Sequence, residues 1–283
     1  MSFDTQRDTI TVENVTYDID DHPVDDGYRY TVQLDGEDVF EGLEAFIGYD
    51  ELDADVHNPR EWSNVGTMSV SYGRYNLGDE DISEIDFEVA CDECDGNGSI
   101  YVEGPQTEND ARYYRPFVSY ECEKCDGNGA IPINPVDYFK KECGASVVLP
   151  LSVYEHSGLT MFVGKGEYVF DPGGWDTSYV GFIYDTPEGI KECFGDEQPT
   201  DDQIEQNLVS EVRVYASYLE GDITYWSVQD EETDYQEACG GYVGDRDQCQ
   251  SECYAALEHG IIQRLAEYKE RAEMAARDII TEG

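Results

Sequence analysis

One eight-residue pattern occurs twice in this chain: Cys91 to Gly98 reads CDECDGNG, and Cys122 to Gly129 reads CEKCDGNG. Two thiolates separated by two residues reach one metal ion from a tight turn, and two such turns supply the four sulfur ligands of a closed tetrahedral site. The chain must therefore fold so that these distant segments meet. The pattern predicts one zinc ion held by Cys91, Cys94, Cys122 and Cys125. The glycines that follow each pair let the turn adopt positive φ and aim backbone N–H groups at the sulfurs. Four thiolates leave no coordination position for water or substrate, so this ion is expected to staple the fold rather than do chemistry.

The competing reading of the same cysteines is a pair of disulfides, and the rest of the sequence opposes it. Met1 to Glu13 is polar and lacks a basic start followed by an apolar stretch, which predicts no secretory leader. The longest strongly apolar run, Ala145 to Leu151, is far shorter than the ~20 residues of a membrane-spanning helix. A cytoplasmic protein is expected, where thiols stay reduced and open to metal. Five cysteines remain: Cys143, Cys193, Cys239, Cys249 and Cys253. They read as buried apolar thiols. The sharper alternative is a second metal or redox site at Cys239, Cys249 and Cys253, the last two sharing a face if helical.

Charge is the second constraint. The 283 residues carry 64 acidic and 17 basic side chains, a formal net charge of −47, and only six of the 17 are lysine. At ~0.01 M salt, with a screening length of about 30 Å, each carboxylate feels many others; at ~1 M the length is about 3 Å and the repulsion is largely gone. This is no disordered acidic tail, because 40% apolar and 12% aromatic content can fill a core. Such a surface opposes non-specific nucleic-acid binding, which depends on Lys and Arg neutralising phosphates. The composition resembles that of proteins from salt-in halophilic archaea. It also leaves open an acidic DNA mimic of the antirestriction type, with carboxylates standing where phosphates would lie.

Hydrophobic patterning predicts an α+β fold with an antiparallel-strand-rich core. Residues 1–88 read as its β-rich N-terminal part, 89–132 as a zinc-clamped β-hairpin insertion, 133–246 as a C-terminal α+β part of the same core, and 247–283 as a helical segment. From Thr9 to Glu41 the runs TITVENVTYDI and RYTVQLDGEDVFE are extended, with Asp35-Gly36 a hairpin turn. Further strands are expected at Thr67 to Tyr72 and Ile82 to Val89. SIYVEG and RYYRPFVSYE form the hairpin around a polar loop containing Pro105 and Asn109. Asn134-Pro135 opens a short helix that stops near Gly144. VVLPLSVYEHSGLTMFVG is two strands joined near Glu155 to Gly158, and YVGFIYDT is another. Thr186-Pro187 caps a short helix up to Gly195. Thr200 with Gln203 is a capping box for a longer one, striped by Ile204, Leu208, Val212, Tyr215 and Leu219. After Gly221 ITYWSV returns as a strand, and from Asp247 the chain reads as helix to about Ile280, with a possible break at Gly260.

Two family resemblances follow from these motifs. The C-x-x-C-x-G-x-G unit resembles the cysteine-rich zinc region of DnaJ-type cochaperones, which has four copies and contributes to client handling. Two copies occur here, and His22-Pro23 is followed by Val24, so the His-Pro-Asp signature of a J domain is missing. Asn58-Pro59-Arg60-Glu61-Trp62, Gly66-Thr67-Met68 and Arg74-Tyr75-Asn76-Leu77-Gly78-Asp79 are similar to the first block of an uncharacterised family encoded by bacteriophages and mobile elements. Pro150 to Met161 with Trp175-Asp176 and Val180 to Tyr184 resembles its second block. Tyr215, Tyr218, Leu219, Gly221-Asp222, Cys239 and Gly244 resemble its third. The resemblance implies a viral or mobile-element source, in this case haloarchaeal, and no reaction. The chain departs from it at Glu155 and at Thr177 to Tyr179.

Within those blocks His156, Asp176, Arg60 and Glu61, with Ser157, offer a base, carboxylates, an anion clamp and a nucleophile, so a hydrolase is chemically open. The blander alternative is an Arg60–Glu61 ion pair and a turn in which His156 satisfies backbone. The other histidines, His22, His57 and His259, sit in polar or terminal settings. No H-E-x-x-H, G-x-S-x-G or phosphate-loop motif is present. The expected role is binding a host or viral protein through the hairpin, whose Tyr101, Tyr113, Tyr114, Phe117 and Tyr120 exceed what a staple requires.

Overall fold

The computed structural model describes residues 9–50, 58–73, 75–103, 117–166 and 168–282. Arg74, His57, Pro105, Asn109, Tyr113, Tyr114 and the Phe117 side chain lie outside the described residues. The fold is α+β, as expected, with antiparallel sheets and, among the described residues, four α-helices, the last of them a long C-terminal one. It divides into two compact units. The first comprises the segment up to Pro59, Gly158–Thr160 and the chain from Arg213 onward; the second comprises Arg60–Ser157 and Met161–Val212. Both are discontinuous in sequence.

The first unit is a seven-stranded sheet with one helix on it. β1 (Thr9–Val12), β2 (Val15–Val24), β3 (Gly27–Leu34) and β5 (Leu43–Tyr49) run antiparallel in that order, with the two-residue β4 (Glu37–Asp38) beside β3. β14 (Ile223–Asp230) and β15 (Tyr235–Val243) complete the sheet, β14 pairing with β5. Asp35 and Gly36 both take positive φ, 55° and 84°, as the expected hairpin requires. The run TITVENVTYDI is not one strand. Glu13 and Asn14 at φ 50° and 69° break it into a hairpin.

The final helix, α4 (Arg246–Glu282), packs on β1, β5, β14 and β15. Its buried residues Cys249, Cys253, Ala256, Leu257, Ile261 and Arg264 recur at three or four positions, which makes one face. That face meets Ile10, Val32, Leu43, Ala45, Trp226 and Val228 from the sheet. The expected break at Gly260 does not occur. Gly260 is buried, and a Cβ there would stand 2.8 Å from Leu43 Cδ1, so the glycine marks close packing rather than a kink.

The second unit centres on the sheet β12-β11-β13-β6, formed by β6 (Gly66–Val70), β11 (Val148–Glu155), β12 (Leu159–Val163) and β13 (Thr177–Asp185). The stretch expected as a strand from Ile82 to Val89 is mostly not one. Asp81 Oδ1 accepts from the Ser83 N–H at 2.9 Å and its hydroxyl at 2.7 Å, capping a 3-10 turn over Ile82–Glu84. Only β7 (Glu88–Ala90) remains extended, paired with β10 (Ala130–Pro132). α1 (Pro135–Glu142) and α2 (Pro187–Phe194) start at the expected caps, Asn134 and Thr186. In α3 (Asp201–Leu219) Thr200 and Gln203 bond reciprocally, and Ile204, Leu208 and Val212 are buried. α1 brings Phe139 against Phe182, Tyr184 and Phe87, a cluster that anchors the segment leading to the cysteines.

Candidate metal centre

The four cysteines of the repeat come together, as the spacing requires. Cys91 and Cys94 follow β7, and Cys122 and Cys125 follow β9 (Phe117–Glu121), which pairs antiparallel with β8 (Ser99–Glu103). The two turns have the same internal geometry. In the first, the Gly96 N–H donates to Cys91 O at 3.0 Å and the Asn97 N–H to Cys94 O at 2.9 Å; in the second, Gly127 donates to Cys122 O at 3.1 Å and Asn128 to Cys125 O at 2.9 Å. The turns also clasp each other: Cys91 N–H donates to Gly129 O at 2.8 Å, and Cys122 N–H to Gly98 O at 3.0 Å. A Cβ on Gly98 would lie 2.2 Å from Gly127 O, and one on Gly129 would lie 2.4 Å from Gly96 O. Both positions also have positive φ, 69° and 81°. The repeated Gly-Asn-Gly thus serves two purposes, the turn conformation and the contact between turns.

All four sulfurs are buried and lie within 4.8 Å of one another. Cys91 Sγ is 3.8 Å from Cys122 Sγ, and Cys94 Sγ is 3.7 Å from Cys125 Sγ. A tetrahedron with metal–sulfur bonds of about 2.3 Å has edges of about 3.8 Å, so the cluster has the size of a four-thiolate metal site and not of disulfides near 2.05 Å. The Gly98 N–H donates to Cys94 Sγ at 3.2 Å and the Gly129 N–H to Cys125 Sγ at 3.3 Å. Amides aimed at sulfur suit thiolates. Ile100 and Ile131 pack over the cluster, and Lys124 pairs with Asp92 across it. Burial pushes the Cys122 thiol up to about 12. A dication reverses that preference and makes four buried thiolates tenable. This group can hold a metal ion, and among the described residues it is the one such cluster of His, Cys, Asp or Glu.

The other cysteines divide differently from expectation. Cys249 and Cys253 are core thiols of the first unit and Cys143 is partly buried, but Cys193 and Cys239 are exposed. Cys239 lies on edge strand β15, and no second cluster of metal-ligating groups forms with Cys249 and Cys253 among the described residues.

The catalytic candidates are brought together only in part. His156 Nδ1 and Asp176 Oδ2 are 2.9 Å apart, with the side chains 67% and 40% exposed, so Asp176 can hold the imidazole in one tautomer. Arg60 belongs to a different place. Its side chain is 4% exposed; Nε and Nη2 bond Asp79 at 3.1 and 2.6 Å, Nη1 bonds Glu211 at 3.1 Å, and Nη2 also donates to Gly66 O at 2.6 Å. Burial alone would lower its pKa, but Asp79 and Glu211 outweigh it and raise it. Glu211 in turn accepts from Val65 N–H at 2.6 Å, and Asp79 from Met68 N–H at 2.7 Å. Arg60 thus pairs with Asp79 and Glu211, where the blander alternative had Glu61, and Glu61 is exposed. The first sequence block is therefore a scaffold around Arg60. Glu155, in the Pro150 to Met161 segment, accepts from the Tyr72 and Tyr75 hydroxyls at 2.7 and 2.8 Å.

Sequence reasoning missed the buried Arg264, the exposed Val169 and Phe170, and the exposure of Trp175. A lone arginine in a helix and a Gly-rich loop give no periodic signal.

Fold and site together define an α+β protein with a ribbon whose four clustered cysteines can hold a metal ion. No protein-family model matches the chain, and no curated protein or solved structure matches it. No helix among the described residues is long and apolar enough to cross a membrane.

Proposed function

We propose that the chain is a zinc-stapled protein that acts by binding another protein through its ribbon, in molar salt. One observation carries this reading. On β8 and β9 the register places Ile100 opposite Tyr120 and Val102 opposite Val118, so these four share a face. Ile100 turns in against the cysteines, while Val102, Val118 and Tyr120 remain 36%, 45% and 50% exposed. Tyr101, on the other face, is 64% exposed. A two-stranded ribbon cannot bury its own apolar face, so a partner is the natural cover. The thiolate ligand set and its spacing support zinc. The net charge of −47 supports a saline interior and disfavours a nucleic-acid partner. The block resemblance supports a viral or mobile-element source and hence a host or viral protein as partner.

The test is a pull-down in molar KCl from a haloarchaeal lysate, with wild type beside Val118→Asp and Cys122→Ser. A protein retained by wild type and lost by both variants supports the reading. Equal retention by all three contradicts it. A second reading, hydrolysis assisted by His156 and Asp176, is favoured by their 2.9 Å contact. Turnover of an ester substrate that survives His156→Gln would remove it.

A further inference from the structure

The loop between β12 and β13 carries the three most exposed large apolar side chains among the described residues: Trp175 at 89%, Val169 at 84% and Phe170 at 78%. Exposed apolar groups on a slack loop would collapse together. This loop is held. Asp171, 8% exposed, accepts from the N–H groups of Trp175 and Asp176 at 3.1 and 2.9 Å and from the Thr177 hydroxyl at 2.9 Å. The Asp171 N–H donates to Tyr168 O at 3.0 Å, and the Gly174 N–H to Asp171 O at 3.0 Å. At the other end the Tyr168 ring contacts both Tyr154 and Phe162, each at 4.8 Å between centroids, and Phe170 meets Tyr168 edge-on at 5.6 Å. The Trp175 indole lies on Gly173, where an added Cβ would stand 2.5 Å from Cδ1 and Nε1. Asp171 fixes the Trp175 backbone, and the indole rests against Gly173 while most of the side chain stays open to solvent.

We infer that this loop is a preorganised docking knob for a protein partner presenting an apolar cleft edged by Lys and Arg. Trp and Phe are the anchors that carry binding energy at protein interfaces, and anchors already fixed in place lose little freedom on binding. Charge selects among the possible occupants. Below molar salt, where charge still acts, a second copy brings another −47 and nucleic acid and anionic lipid surfaces are repelled, while the carboxylates of Asp171, within the loop, and Asp176, bonded to the His156 ring that stacks on Tyr154, lie beside the aromatic array. A basic rim complements them. The inference is independent of the ribbon reading, since the loop contributes no metal ligand.

The probe is a phage-displayed library of random peptides, selected on the full-length protein at the lowest KCl concentration that keeps it folded by circular dichroism. Enriched peptides are expected to combine large apolar residues with Lys or Arg and to shift tryptophan emission to the blue, a shift absent from Trp175→Ser. Their affinity is expected to fall by about tenfold or more in Trp175→Ser and in Phe170→Ser, and to be unchanged in the ribbon variant Tyr120→Asp. Both loop side chains are so exposed that these variants keep the fold. The inference is overturned by equal selection on Trp175→Ser, by enrichment of peptides without basic residues, by Trp175-dependent self-association in sedimentation, or by Trp175-dependent binding to phosphatidylcholine vesicles.

Discussion

Arg264 is the largest fully buried side chain among the described residues, and it lies inside the core of a protein whose cations are scarce. Its guanidinium pairs with Asp230, whose side chain is also fully buried, bonds Glu232 and the Tyr268 hydroxyl at 3.2 Å, and reaches Glu41 O at 3.1 Å. All its donors face an acceptor, so Arg264→Met leaves Asp230 buried without its counter-ion. That substitution is expected to cost about 3–5 kcal/mol, with much of the loss recovered in Arg264→Met/Asp230→Leu, measured by denaturant unfolding. Burial alone would raise the Asp230 pKa, but Arg264, Thr233 and the Glu232 amide outweigh it and hold it below the usual carboxylate range. A depressed folded-state pKa stabilises above the unfolded value of about 3.9 and ceases to do so as pH falls through the folded value. The stability gap between wild type and Asp230→Asn should therefore be constant at neutral pH and shrink only below about pH 4. Ser69 presents the opposite case. Its hydroxyl is buried with no hydrogen-bond partner among the described residues, and Ser69→Ala is expected to stabilise by about 1 kcal/mol.

At the scale of elements, the ribbon depends on glycine as much as on cysteine. Gly98→Ala and Gly129→Ala each set a methyl against backbone oxygen of the other turn. Both are expected to weaken metal retention without touching a ligand, read as faster metal release to a chromogenic chelator. An unchanged release rate would contradict the packing described. What was legible in the sequence had a local physical cause. The cysteine turns, the Asn134 and Thr186 caps and the Thr200–Gln203 box are all decided within a few residues, and all form. Asp35-Gly36 shows its turn openly, whereas Glu13-Asn14 makes the same turn with residues that do not announce it. β15 escaped notice because YQEACGGYV is an exposed edge strand with no apolar alternation. β5 carries no clear strand signal although it pairs locally with β3, because LEAFIGY has apolar residues on both faces and no clean alternation. His156 and Asp176 were legible as candidates, but their partnership, and the separation of Arg60 from it, depend on strand register.

For the whole molecule, charge and metal set the conditions of stability. Among the described residues, the side chains of Arg60 and Arg264 are buried on carboxylates, so they screen little of the outer surface. Thermal unfolding midpoints should rise steeply from ~0.01 to ~1 M KCl, as the screening length contracts from about 30 to about 3 Å. A flat salt profile would show that the acids are spaced widely enough to be ignored. The ribbon adds a second dependence, because structural zinc supplies of order 10 kcal/mol to small sites. The most direct measurement is metal content by mass spectrometry of protein purified under reducing conditions in molar KCl, wild type beside Cys122→Ser. About one zinc per wild-type chain, with most of it lost in the variant, is the predicted result. Wild-type protein that is folded and metal-free would contradict the account.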